Sequence, residues 1–252
     1  MEQTVDADPA RLLSRRRVDR TWREGGPTVA RWNVEMLGWA VLALGVGVLG
    51  ANAAGLLLPA STAGLVSQLV LWAAFVAPVG VALRRSRPRG LLRFRVLDLM
   101  YAVVFGVALR IAQGALAGIG GAPVEWPSAI TVDGSLPTEL VTDAALGTLV
   151  APVLEELFFR GLVLVAAYTA LRRIGGRVGA GVAAGALSTA LFVAAHLLVA
   201  PAGVADVLSL ALVGAVAAAF VLGTGRLWPA VLIHVVFNAT GYALVIVGTL
   251  LS

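Results

Sequence analysis

The stretch LVTDAALGTLVAPVLEELFFRGLVLVAAYTAL, residues 140–171, decides what kind of fold this chain can adopt. A helix of about 20 mainly apolar residues is long enough to cross a bilayer. This stretch exceeds that length, yet Glu155, Glu156 and Arg160 lie in the middle of it. It therefore predicts a transmembrane helix with ionisable groups inside the hydrocarbon region.

Comparable apolar runs lie on both sides of this stretch. They span 36–58, 64–83, 97–119, 178–200, 207–223 and 228–250. The chain is 59% hydrophobic and 13% charged, with a mean hydropathy of +0.92. Soluble domains have about 25% charged residues. We therefore predict an all-α, polytopic membrane helix bundle with about seven transmembrane helices, within a range of six to eight.

The arginines predict the orientation of the bundle. All 19 basic residues are arginines, and most lie in 1–35, in the connection 84–95 or in the connection 172–177. The connections 59–63 and 120–139 contain none. Short cytoplasmic loops are rich in Lys and Arg, so this alternation predicts a cytoplasmic N-terminus in the cell membrane. A nucleic-acid partner is not expected, because no segment is long enough to form a basic soluble domain.

The same pattern divides the chain into three parts. Residues 1–35 form a basic cytoplasmic tail, 36–139 form the N-terminal transmembrane helices, and 140–252 form transmembrane helices that carry the polar motifs of a catalytic site. The chain has no cysteine, which excludes thiolate catalysis, disulfides and Cys-ligated metals.

Placing an ionisable group inside an apolar membrane helix costs at least ~2.5–3.5 kcal/mol of insertion free energy, so each such group is expected to have a structural or functional role. Glu156 and Arg160 are four residues apart and can pair on one helix face. Glu155 points away from that pair and is left as a candidate general base or acid. Arg110, in the third apolar run, is interpreted as a structural counter-charge for a buried carboxylate.

Two further motifs place polar side chains in later spans. The first is Phe192-Val-Ala-Ala-His196, and the second is His234-Val-Val-Phe-Asn238, whose two polar side chains share one helix face. The chain has only two histidines, and both lie in apolar runs. Their joint placement favours one polar site shared by three helices.

This set of groups is suited to hydrolysis. A carboxylate and an imidazole can polarise water for attack on a peptide carbonyl, while an imidazole and a carboxamide can stabilise the oxyanion. The same residues allow a second mechanism, in which Glu155, His196 and His234 hold zinc. Two other functions stay open, namely a catalytically silent binding or immunity protein and an ion or proton pathway.

The order of the motifs resembles a known family. Glu155-Glu156-xxx-Arg160, Phe192-xxx-His196 and His234-xxx-Asn238, on successive apolar helices, are similar to the three signature motifs of the CPBP family of intramembrane proteases. That family contains the CAAX-processing endoproteases and the bacterial Abi and bacteriocin-processing or immunity proteins. The similarity covers about residues 140–250.

The resemblance implies specific roles for these residues. Glu155 would activate water with help from His196, His234 and Asn238 would form the oxyanion pocket, and Glu156 and Arg160 would hold the helix in register. It implies a glutamate mechanism that requires no cofactor in preference to zinc, and a peptide or membrane-protein substrate. The Arg-only, Ala- and Gly-rich composition is typical of a bacterial protein, for which prenylated substrates are not expected.

The resemblance also implies a cytosolic opening, as in the CAAX enzymes. At 1.5 Å per residue, however, Glu155 lies about 25 Å from Arg172 at the cytoplasmic end of its helix.

Overall fold

The structure, a computed structural model, describes residues 20–118, 126–129, 136–200 and 202–251, without the side chains of Thr138 and Glu139. Most of the predicted tail, residues 1–19, lies outside these ranges, as do the acidic Glu125 and Asp133. Within the described residues all regular structure is helical. The predicted all-α fold class is therefore confirmed.

The helices follow the apolar runs closely. Two 3-10 turns, Trp22–Glu24 and Pro27–Val29, come first. The α-helices are α1 (Val34–Leu57), α2 (Ala60–Arg85), α3 (Leu97–Ala117), α4 (Thr138–Ala145), α5 (Ala151–Glu156), α6 (Leu164–Val199), α7 (Val204–Thr224) and α8 (Trp228–Leu251). Two π-helical segments, Leu146–Val150 and Leu157–Val163, join α4 to α5 and α5 to α6.

The described residues contain six helical stretches that are long and apolar enough to cross a membrane. One of them, Leu140–Val199, is 60 residues long and contains the two predicted runs 140–171 and 178–200. Its path breaks at Gly176, whose φ of 64° is strained for any residue with a side chain. The chain is thus a multi-pass membrane protein, and the predicted number of about seven spans is confirmed.

The centre of the bundle is the start of α6 and the π-helical segment before it. Every residue from Phe158 to Tyr168 is buried. α1, α2 and α7 all pack around this part of the chain, and a helix that is buried all round lies in a core. α3 packs against α7 and α8 on the other side. Large apolar side chains such as Leu49, Ile111 and Val182 stay exposed on the outer helices, as lipid contact requires.

Hydrogen bonds close one end of the bundle, which we call the basic end. Trp22 Nε1 donates to the Gly225 carbonyl at 2.8 Å, and Trp32 Nε1 donates to the Ser86 carbonyl at 3.1 Å. Trp228 Nε1 donates to the Leu92 carbonyl at 3.0 Å. These bonds join the segment before α1, the α2–α3 connection and the α7–α8 connection. Arg84 and Arg85 lie in the last turn of α2, the arginines at 87–95 lie in the α2–α3 connection, and Arg226 lies in the α7–α8 connection.

The arginine-poor end of the bundle lies at the opposite ends of these helices. There Asn52 Nδ2 on α1 donates to the Leu198 carbonyl of α6 at 3.0 Å. Ser67 Oγ on α2 donates to the Ala51 carbonyl at 2.7 Å. The end of α1, the start of α2 and the end of α6 are therefore held together.

Candidate active site

Glu155 meets both histidines of the chain. Its Oε2 lies 4.0 Å from His196 Nε2 and 3.9 Å from His234 Nε2. α5, α6 and α8 each supply one of these groups. The side chain of His196 is 35% exposed, whereas those of Glu155 and His234 are 14% and 6% exposed. The cluster is thus reached from the His196 side.

A backbone hydrogen bond orients the His196 ring. Its Nδ1 lies 2.8 Å from the Phe192 carbonyl oxygen, one turn earlier in α6. Because a carbonyl can only accept, Nδ1 carries the hydrogen, and Nε2 of the neutral ring presents its lone pair toward Glu155. The Phe192 ring contacts both imidazoles, with centroid distances of 4.5 Å to His196 and 5.8 Å to His234.

Glu156 orients the imidazole of His234 through a hydrogen bond to its Nδ1 atom. Glu156 Oε1 accepts from His234 Nδ1 at 3.1 Å and lies 3.1 Å from Arg160 Nη1. Glu156 and Arg160 are fully buried. The pair predicted from i,i+4 spacing is therefore present, and it also fixes the tautomer of His234.

Arg160 lies in a space that a side chain at Gly214 would fill. Its guanidinium carbon is 4.4 Å from the centre of the Phe192 ring, a cation–π contact. A Cβ at Gly214 on α7 would lie 3.2 Å from Arg160 Nη2 and 2.8 Å from Thr189 Cγ2. Glycine at this position therefore allows α7 to approach the buried guanidinium.

Asn238 reaches the π-helical segment before α5. Its Nδ2 donates to the Gly147 carbonyl at 2.8 Å. In this segment N–H groups bond the carbonyl five residues earlier, as Ala151 does with Leu146. The corresponding donor for Gly147 would be Pro152, which has no N–H. The proline thus leaves this carbonyl free for Asn238, whose second Nδ2 hydrogen has no partner among the described residues.

A cavity of about 990 Å³ lies beside Glu155 and His196. Its walls come from the end of α1, the start of α2, α4 and the end of α6. Small residues line much of it, including Gly55, Ala63, Gly64 and Ala195. A peptide segment in this cavity would contact both Glu155 and His196.

The donor atoms of Glu155, His196 and His234 match the ligand types of a catalytic zinc site. In a tetrahedral shell with bonds of about 2.0–2.1 Å, neighbouring donor atoms are about 3.3 Å apart. The two Glu155–histidine separations are 4.0 and 3.9 Å. In the described geometry these separations are therefore wider than those of this shell.

A second buried ion pair was not predicted from the sequence. Asp98 at the start of α3 is fully buried and bonded to Arg226, which follows α7. The signal was an acidic residue at the first turn of an apolar run. Arg110, expected to balance a buried carboxylate, instead contacts Gln113, Thr240 and the Phe237 carbonyl. This buried carboxylate is thus paired with Arg226, and Arg110 is not its counter-charge.

Residues 137–240 match the family model described as "Type II CAAX prenyl endopeptidase Rce1-like". The match contains all three motifs and agrees with the resemblance to the CPBP proteases, which is thereby confirmed. Searches of curated proteins and of solved structures found no significant match.

Proposed function

We propose that this membrane protein, whose residues 137–240 match the Rce1-like type II CAAX endopeptidase model, hydrolyses peptide bonds with water activated by Glu155 and His196. The observation that carries the proposal is the approach of Glu155 Oε2 to the Nε2 atoms of both histidines, at 4.0 and 3.9 Å, beside an accessible cavity. The match to the family model supports the kind of activity. The assignment of each residue is our proposal.

The spacing between Glu155 and His196 suits one water molecule. A water that hydrogen-bonds to two acceptors at about 2.8 Å holds them about 4.0–4.5 Å apart. Glu155 Oε2 and His196 Nε2 are separated by 4.0 Å, and both present lone pairs. The water donates one hydrogen to each and keeps its own lone pair for the substrate carbonyl. Glu155 then accepts a proton as the oxygen attacks.

The proposed mechanism requires a hydrogen on each ring nitrogen of His234. Glu156 and Arg160 neutralise one another, which leaves the carboxylate of Glu155 without a guanidinium of its own. In the mechanism His234 donates its Nδ1–H to Glu156, 3.1 Å away, and directs its Nε2–H toward the Glu155 side.

The oxyanion of the tetrahedral intermediate accepts from His234 Nε2–H and from the second Nδ2 hydrogen of Asn238. Such donors contribute about 3 kcal/mol each to stabilisation of the transition state. When the intermediate collapses, the C–N bond breaks and Glu155 returns its proton to the leaving amine. The products are a carboxylic acid and an amine, the acid's proton passes to the amine to give a carboxylate and an ammonium group, and the cluster regains its starting charge. This scheme requires no metal, in keeping with the wide donor spacing.

The test is a search for new protein termini in membranes that contain the enzyme. Cells expressing the wild type or Glu155→Gln would be compared by mass-spectrometric labelling of protein termini. Glutamine keeps the shape and removes the base, so Glu155-dependent termini should fall by at least ~100-fold. A peptide spanning the mapped bond, reconstituted with purified enzyme in liposomes, then measures turnover directly.

The matched control is Glu35→Gln. Glu35 forms an exposed pair with Arg85 at the basic end and is remote from the cluster. This variant should give the wild-type set of termini. Termini that persist in Glu155→Gln, or their absence from the wild type, would overturn the hydrolytic proposal. Ion flux through liposomes that depends on His196 and His234 would then favour the ion or proton pathway.

A further inference from the structure

The cavity beside Glu155 lies at the arginine-poor end of the bundle. Its outer residues belong to the end of α1, the start of α2, α4 and the end of α6. The residues that mark its position are Gly55, Ala60, Ser61, Asp143 and Ala200. All of them are far along the helices from the arginines at 84–95, 172–177 and 226.

The basic end has cavities of about 510 and 750 Å³, but neither is lined by Glu155, His196 or His234. Trp22 and Trp32 are almost completely buried there. Between Glu155 and the basic end runs the segment Phe158–Tyr168, in which every residue is buried. Tyr168 adds a hydrogen bond from its hydroxyl to the Arg23 carbonyl at 3.2 Å. Among the described residues, the approach to Glu155 and His196 is therefore from the arginine-poor end.

Short loops rich in arginine face the cytoplasm. Combining this rule with the position of the cavity, we infer that the site opens to the extracytoplasmic face and cleaves membrane-anchored polypeptides in their extracytoplasmic juxtamembrane segment. This inference rests on the proposed function for its cleavage step. Its statement about access depends only on the position of the cavity and on the orientation of the chain.

The walls of the cavity suit an extended peptide. A helix in a membrane has its carbonyls hydrogen-bonded internally, so the end of a substrate helix must unwind before water can attack. Glycine and alanine walls let a backbone approach closely. Ser61, Gln68 and Thr142 line the same space and offer hydrogen-bonding groups to an unwound backbone. At about 990 Å³ the cavity is at the upper end of ligand-pocket sizes.

The inferred side of substrate entry is opposite to the side that the family's description would suggest. A prenylated chain end made in the cytosol would approach the basic end, where the described residues are packed around Trp22 and Trp32. A segment anchored on the other side of the bilayer reaches Glu155 without crossing that packing. The depth of Glu155, about 25 Å from Arg172, has the same explanation.

Access is tested by cysteine labelling, for which the chain is well suited because it has no cysteine. Ser61→Cys reports on the cavity and Arg87→Cys on the basic end. Right-side-out and inside-out vesicles are treated with a charged, membrane-impermeant maleimide. We expect Ser61→Cys to react only in right-side-out vesicles and Arg87→Cys only in inside-out vesicles. The reverse pattern would overturn the inference.

Leu49→Cys is the control for the lipid phase. Leu49 is 73% exposed on α1 but lies within a span, so its cysteine should resist the charged reagent in both preparations. In reconstituted Ser61→Cys enzyme, a bulky maleimide should abolish turnover of the mapped peptide by blocking the cavity. Turnover that is unchanged after complete labelling would contradict a substrate route past Ser61.

The positions of the Glu155-dependent termini test the substrate class. We expect them at the extracytoplasmic ends of membrane anchors, and a majority at cytoplasmic ends or at prenylated C-termini would overturn the inference. If the labelling is as expected but no Glu155-dependent terminus exists, the proposed protease function fails and the access side stands. The two failures are thus distinguishable.

Discussion

At the scale of single residues, two adjacent carboxylates occupy different environments. Glu156 is fully buried between Arg160 and His234, with contacts of 3.1 Å to each. Glu155 borders the cavity and approaches both imidazoles without a guanidinium partner. The difference arises because neighbouring residues on a helix point about 100° apart. Glu156 can therefore hold the cluster together while Glu155 stays accessible to water.

Removing the Arg160 side chain should lower the free energy of unfolding far more than its volume suggests. In Arg160→Met the carboxylate of Glu156 stays buried without its counter-charge, which typically costs about 3–5 kcal/mol in unfolding free energy. The double variant Glu156→Gln/Arg160→Met should recover most of that loss but turn over slowly, because His234 loses its carboxylate. Denaturation in detergent micelles measures the first effect and peptide turnover the second.

The control for this prediction is Arg85→Met, which breaks the exposed pair with Glu35. Exposed pairs contribute about 0–1 kcal/mol, so little change is expected. Equal losses for Arg160→Met and Arg85→Met would show that the buried pair has no special role in stability.

The donor spacing around Glu155 also predicts the response to metal removal. Because the separations exceed those of a tetrahedral zinc shell, treatment with 1,10-phenanthroline should leave peptide turnover unchanged. The isomer 1,7-phenanthroline, which does not chelate, controls for effects on the membrane. A loss of activity with the first reagent alone, restored by added zinc, would establish the metal mechanism that the sequence left open.

At the scale of helices, the π-helical segments on either side of α5 set the positions of the cluster. π-helical turns often occur at functional sites. In this protein Pro152 leaves the Gly147 carbonyl without a backbone donor, and Asn238 supplies one from α8. After α5, the Phe159 carbonyl accepts from Ser188 Oγ on α6 at 2.8 Å. These bonds connect the π-helical segments on either side of α5 to the helices that carry His234 and His196.

Replacing Pro152 tests this arrangement. Pro152→Ala restores an N–H that can bond the Gly147 carbonyl and release the Asn238 amide. We expect turnover to fall by about tenfold or more, because the Asn238 amide would no longer be held as an oxyanion donor. The free energy of unfolding should be unchanged or increased. Peptide turnover in liposomes measures the effect.

Pro78→Ala is the matched control, since Pro78 is also buried inside an apolar helix but does not line the cavity. If the two proline variants lose activity equally, the loss results from removing a buried proline from any membrane helix, and the proposed link between Pro152 and Asn238 is wrong.

At the scale of the whole molecule, the segment before α1 is part of the bundle. Residues 1–35 are predicted from the sequence to form a basic tail, and within the described part of that range Trp22, Val29 and Trp32 are buried. Arg23 Nη1 donates to the carbonyls of Leu222 and Gly223 at the end of α7, at 2.9 and 2.6 Å. Trp22 packs edge-on against Tyr168 at 5.5 Å between ring centres. This segment joins both halves of the bundle at the basic end.

Trp22→Ala should therefore lower the free energy of unfolding by about 3–5 kcal/mol, as for other buried tryptophans. Trp39→Ala is the control, because Trp39 is 54% exposed on the outer face of α1. Its change should stay within about 0.5 kcal/mol. Thermal unfolding in the same detergent compares the two variants, and similar losses would mean that the segment before α1 does not stabilise the bundle.

What the sequence determined follows from local rules. A hydrocarbon solvent requires long apolar helices, so the spans could be read from the chain. Helical spacing was enough to predict the Glu156–Arg160 pair. The cost of burying charge indicated that Glu155 and the histidines have a structural or functional role inside the membrane. The division of the chain into three parts stays a prediction, as do the catalytic roles.

Tertiary structure decided which of these groups meet. His234 and Glu156 are 78 residues apart in the chain, Asn238 and Gly147 are 91 apart, and Arg226 and Asp98 are 128 apart. Such contacts depend on how each helix is rotated and packed against its neighbours, which local periodicity does not specify. The position of the cavity has the same origin, because its walls come from helices that are separate in the sequence.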